Sequence, residues 1–115
     1  MLYRSKEVVI AETAYPWTLQ WKDALANTLG EDSVVPYYGV SRDAQKSYLM
    51  DLAKTVSANG GVGVLYWEPA WVSTTCQTPW GRGSAWENAT LFDFDGEVLP
   101  GIDFMKPQDA PPPAP

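Results

Sequence analysis

Two short, uninterrupted apolar runs, Val8-Val9-Ile10-Ala11 and Val62-Gly63-Val64-Leu65-Tyr66-Trp67, stand on either side of a single stretch with helical periodicity. Continuous β-branched runs of this kind are how strands buried on both faces of a parallel sheet read. Between them, Ser41 is placed as an N-cap with Asp43 in the first turn. Ala44, Tyr48, Leu49, Leu52, Ala53 and Val56 follow at helical spacing, and Asn59-Gly60-Gly61 stops the helix. The order strand, loop, helix, strand is a βαβ unit, and such units belong to parallel sheets. Two parallel strands leave both sheet edges open, so the unit is not expected to be stable alone. Neighbouring strands must come from elsewhere, or the chain must associate with copies of itself. A closed (β/α)₈ barrel takes about 250 residues, and on that scale this chain amounts to its last quarter or third.

The rest of the chain is turn-rich. Residues 13–40 carry Pro16, Gly30, Pro36 and Gly39 among aromatic and polar residues, and so long an irregular segment usually has a function. A second Trp-, Pro-, Gly- and Ser-rich stretch runs to about residue 88. Leu91-Phe92-Asp93-Phe94-Asp95-Gly96 then ends in an Asp-Gly turn signal, and a short helix is expected over residues 98–105. The proline-rich residues 107–115 form an expected disordered tail, which leaves residues 1–106 as the folded segment.

Composition narrows the ligand. With 14 acidic against 8 scattered basic residues and a net charge of -6, the chain lacks the clustered cations that bind a phosphate backbone. Nucleic acid is therefore not expected as a partner, and an uncharged ligand fits better. No run of about 18 apolar residues is present, so no membrane partner is expected, and the first residues lack the apolar middle of a signal peptide. One cysteine, Cys76, cannot form an intrachain disulfide, and the absence of histidine removes the usual zinc ligand sets. The aromatic content is high, with 6 Trp and 6 Tyr. Trp17, Trp21, Trp71, Trp80 and Trp86 lie in turn-rich segments, where a flat ring can cover the apolar face of a sugar or plug the mouth of a larger fold.

Three motifs carry a specific resemblance. Glu12-Thr13-Ala14-Tyr15-Pro16-Trp17-Thr18 ends the first strand, Tyr66-Trp67-Glu68-Pro69-Ala70-Trp71 ends the second, and Trp86-Glu87-Asn88 leads into residues 91–96. Together, in order from about residue 7 to 104, they resemble glycoside hydrolase family 53, the arabinogalactan endo-β-1,4-galactanases. The resemblance implies the C-terminal part of a TIM barrel, an incomplete barrel in which the two strands are the seventh and eighth. Glu12 then matches the family nucleophile. The acid/base glutamate of the family lies at the end of the fourth strand, outside this chain, so the segment alone is expected to be inactive. The implied substrate is galactan or arabinogalactan, and the implied address of the intact enzyme is extracellular or periplasmic.

The chemistry of the residues agrees. A retaining glycosidase needs two carboxyl groups about 5–5.5 Å apart, one attacking the anomeric carbon and one protonating the leaving oxygen. A carboxylate at the C-terminal end of a barrel strand is presented at the catalytic face. The resemblance to related barrels implies Trp67 as the floor of the sugar site; Glu68 is expected as an orienting or hydroxyl-binding group, Trp17, Trp71 and Trp86 as further substrate contacts, and Trp80 with Trp71 and Trp86 at outer sugar subsites. Glu87-Asn88 resembles a reversed catalytic pair, but the family resemblance implies that this segment helps close the barrel end. Asp93 and Asp95 read as a solvated turn rather than a calcium loop, and neither a metal nor a cofactor is expected. Asn88-Ala89-Thr90 is a weak glycosylation sequon. Two other functions fit the residues: a non-catalytic galactan-binding module, and a related barrel glycosidase acting on another β-glycan.

Overall fold

The computed structural model describes residues 6–107. Strand β1 spans Val9–Thr13, helix α1 Arg42–Ala58 and strand β2 Gly63–Tyr66, and β1 and β2 pair in parallel. The expected βαβ order is present. Helix α1 begins where the sequence places it, since Ser41 is extended and its hydroxyl accepts from Ala44 N at 2.9 Å. It ends at Asn59, followed by Gly60 at φ 81, a left-handed conformation that glycine adopts without cost. The helix expected over residues 98–105 is a 3-10 helix at Pro100–Met105. Two elements of the long loops had no sequence signal: a 3-10 turn at Glu31–Ser33 and a small antiparallel hairpin of β3 (Gln77–Thr78) and β4 (Gly81–Arg82). The proline-rich tail lies almost wholly outside the described residues.

The core sits on one side of the sheet. Leu49 of α1, Leu91 and Phe104 are buried together, with Val64 and Tyr66 of β2 packed against them. The other side is bare. Val9 is 46% exposed and Leu65 58%, so the strands are not buried on both faces as their apolar runs suggest. The reason is topological: alternation points Leu65 away from the side taken by Val64 and Tyr66, and no described element covers that face or pairs with either edge. These residues have the composition of a buried strand face, yet among the described residues that face is open.

Behind the strand ends, a polar network ties β1, α1 and β2 together. The Tyr66 hydroxyl donates to Ala89 O at 2.6 Å and accepts from Tyr15 N at 2.9 Å. Gln45, fully buried on α1, donates to Tyr15 O at 3.1 Å and Thr90 O at 3.0 Å. Burial pushes the Tyr66 hydroxyl up to about 12, which keeps it a proton donor.

Candidate active site

The C-terminal ends of β1 and β2 open onto one cleft. Its walls are Glu12, Thr13 and Ala14 from the end of β1, Leu29 from the following loop, and Trp67 and Trp86, around a cavity of about 380 Å³. Glu12 is exposed to solvent, and the backbone N–H of Trp67 donates to Thr13 O at 2.8 Å, so the main chain that carries the indole is held beside the strand end. Three consecutive residues can line one cleft because the pairing is irregular there: Ile10 faces Val64 and Thr13 faces Tyr66, one residue more on β1 than on β2.

A second cleft of about 360 Å³ continues from the first across the shared rings of Trp67 and Trp86. These two meet edge to face, with centroids 6.2 Å apart at 75°. The second cleft adds Glu68, Trp71 and Trp80, and the last two are also edge to face at 6.5 Å. Trp80, which is 76% exposed, belongs to this aromatic wall beside Trp71 and Trp86. Glu68 has φ 50, a left-handed conformation that is unfavourable for a residue with a Cβ and costs about 1–3 kcal/mol. That turn carries the chain from Trp67 into Pro69 and sends the Glu68 side chain on a different path from the strand.

Trp17 is not part of either cleft. It is 6% exposed, packed on Phe94 with centroids 4.8 Å apart and covered by the Arg42 guanidinium at 5.2 Å from the ring centre. Its place among turn residues suggested an accessible ring. Its burial instead follows from distant partners, including Asn88, whose carbonyl accepts from Trp17 N at 2.9 Å.

Glu87 and Asn88 are buried fasteners. Glu87, 1% exposed, accepts the backbone N–H groups of Lys22 and Asp23, so the loop after β1 is held by a carboxylate far away in sequence. Asn88 donates through Nδ2 to Thr18 O and Leu29 O, both at 2.9 Å. A fully buried side chain so engaged is not open to a glycan, which answers the sequon. Asp93 is likewise buried rather than solvated. Its Oδ1 accepts from Asp95 N and Glu97 N at 2.9 Å and its Oδ2 from Arg42 at 3.1 Å. The backbone N–H of Glu97, then that of Asp95 and the Arg42 guanidinium, hold its carboxyl below the usual range against the opposing effect of desolvation.

The family profile described as glycosyl hydrolase family 53 matches residues 3–105. The chain is 52% identical over 103 residues to an arabinogalactan endo-beta-1,4-galactanase of Cellvibrio japonicus, covering 88% of this chain and 27% of that protein. It is 30% identical over 133 residues to an endo-beta-1,4-galactanase of Bacillus subtilis, covering 88% of this chain and 31% of that protein. Among solved structures, the GH53 catalytic domain of Ignisphaera aggregans superposes with a TM-score of 0.80 at 32% identity, covering 92% of this chain and 31% of that domain. The chain thus spans under a third of the length of these relatives. Its bare strand face is that of a partial (β/α)₈ barrel.

Proposed function

Because this chain belongs to glycosyl hydrolase family 53, we propose that it supplies the nucleophilic side of a barrel that hydrolyses internal β-1,4-galactosidic bonds of galactan or arabinogalactan. The reading rests on one observation: Glu12 ends a strand at an open cleft whose walls include two edge-to-face indoles. In a double displacement the Glu12 carboxylate attacks the anomeric carbon, forming a glycosyl ester as the bond to the leaving oxygen breaks. A second carboxyl group gives that oxygen its proton, then takes one from the water that cleaves the ester. Glu87 is a poor candidate for the second group, being buried with its oxygens facing backbone N–H groups. The acid/base is assigned to the part of the barrel outside this chain, and the segment alone is inactive. Trp67 and Trp86 cover the apolar faces of sugars beside Glu12, Trp71 and Trp80 receive the polymer further along, and Glu68 binds or orients hydroxyls. Because a polymeric substrate is met outside the cell interior, we infer an extracellular or periplasmic address for the intact enzyme.

The test uses the Cellvibrio galactanase with its matching segment replaced by this chain. Glu12→Gln should lower galactan hydrolysis on the order of 10³-fold or more, about 4 kcal/mol of barrier at 1.36 kcal/mol per decade. Binding of galactan should persist. A fluorinated glycoside that accumulates the covalent intermediate should label the peptide containing Glu12. Labelling elsewhere, or turnover indifferent to Glu12→Gln, would overturn the assignment; binding without turnover in the unsubstituted graft would favour a galactan-binding module.

A further inference from the structure

The geometry points to Asp23 as the positioning residue that sets the aromatic wall of the second cleft, and so the preference for long over short substrate. This inference rests on the functional reading above. The hairpin β3–β4 carries Trp80 at its tip, and its two strands have only two residues each. An isolated hairpin of that size has little stability of its own, and with Trp80 so exposed the ring contributes little burial to hold it. Something else must fix it. One carboxylate oxygen of Asp23, Oδ2, accepts from Ser84 N at 2.6 Å and from Thr74 N at 3.3 Å. Thr74 precedes the hairpin and Ser84 follows it, so a single atom from the loop after β1 grips both legs. The other oxygen accepts from Leu25 N at 2.9 Å, within Asp23's own loop.

The grip extends to the neighbouring rings. Ser84 Oγ donates to Trp71 O at 2.5 Å and accepts from Trp86 N at 3.2 Å, while Gly83 N closes the hairpin base on Cys76 O at 3.0 Å. Asp23 itself is fixed from below, since its backbone N–H donates to the buried Glu87 carboxylate. Close approach of the two loops also accounts for Gly83. It has φ 117, and a Cβ there would lie 2.6 Å from Asp23 Oδ1. Trp71 and Trp80 are therefore placed through Asp23, which touches none of the sugar-facing surface assigned above, and Trp86 is linked to it only through Ser84 Oγ. Removing the carboxylate should release the wall and leave Glu12 and Trp67, which are held by the β1–β2 pairing.

In the same graft, Asp23→Ala should raise KM on polymeric galactan about tenfold, the scale of one charge-assisted hydrogen bond lost. Turnover of the shortest cleaved oligosaccharides should fall less than affinity for the polymer, because Trp71 and Trp80 lie away from Glu12 and only Trp86, linked through Ser84, adjoins it. Asp23→Asn, which keeps one acceptor oxygen, should recover part of the KM. Gly83→Ala should reproduce the defect from the opposite loop. Trypsin cleavage after the exposed Arg82, measured without substrate, should accelerate in Asp23→Ala and Gly83→Ala. Unchanged polymer KM and unchanged cleavage at Arg82 would overturn the inference, as would an equal loss of kcat on long and short substrates. Failure of the unsubstituted graft to cleave galactan would instead count against the functional reading, and the Arg82 cleavage rates would still decide for or against the clasp.

Discussion

Replacing Tyr66 by Phe removes one oxygen and tests the network behind the active-site strands. That hydroxyl has one proton, and Ala89 O at 2.6 Å receives it in preference to Tyr15 O at 3.2 Å, which Gln45 already serves at 3.1 Å. The same oxygen accepts from Tyr15 N at 2.9 Å. Tyr66→Phe therefore deletes one donated bond and strands one buried N–H, for a combined cost of about 2–4 kcal/mol. At roughly 2 °C per kcal/mol in a large domain, the graft should melt about 4–8 °C lower. Scanning calorimetry of the graft and its variant reads this directly. The substitution also alters the alkaline limb. Because the folded Tyr66 pKa is raised from 10.0 to about 12, its contribution is complete below pH 10 and is lost as pH rises toward 12. Tyr66→Phe should flatten that decline. Combined with Gln45→Met, the effects should depart from additivity by more than about 0.5 kcal/mol, since both side chains meet at Tyr15. A melting point within 2 °C of the parent, or strict additivity, would refute the network as an energetic unit.

Ser41→Ala should cost about 1 kcal/mol through loss of the cap on α1, visible as a lower melting point with unchanged KM. The depressed carboxyl of Asp93 contributes stability above its ordinary value near 3.8, and that contribution is lost as pH falls through the lower folded value; Asp93→Asn should flatten the acid limb of a melting-point titration. The 115-residue chain by itself should give a broad thermal transition or aggregate, as followed by circular dichroism, because β1 and β2 expose Val9 and Leu65 on a face that no described element covers. A sharp, reversible melt of a monomer would contradict that.

What could be read from the residues was local. The β1 and β2 runs, the Ser41 cap and the Asn59-Gly60 stop are each decided within a few neighbours, and the structure has all of them. The cleft beside Glu12 and Trp67 was legible because both residues directly follow apolar strand runs. Trp17 was not, since its burial depends on Phe94 and Arg42, neither near it in sequence. Asp23 was missed as a fastener for the same reason, and Glu87 and Asn88, expected to help close the barrel end, were not foreseen as holding the loop after β1. Their partners are backbone N–H and carbonyl groups, which every residue carries and no motif distinguishes. The strand burial was misjudged in an instructive way: an apolar run reports the surroundings a strand requires, and here those surroundings belong to the rest of the barrel.

The extra residue between Ile10 and Thr13 acts as a half-step in the strand's left-right alternation. Ile10 and Thr13, three residues apart, thus pair with Val64 and Tyr66 on one face, where plain alternation would have set them on opposite faces. Deleting Ala11 would leave Glu12 in the protein with its chemistry intact, yet remove the extra residue and draw it into regular pairing opposite Leu65, away from the place the bulge gives its carboxylate. A shortening by one small side chain could silence such a site as thoroughly as replacing the glutamate.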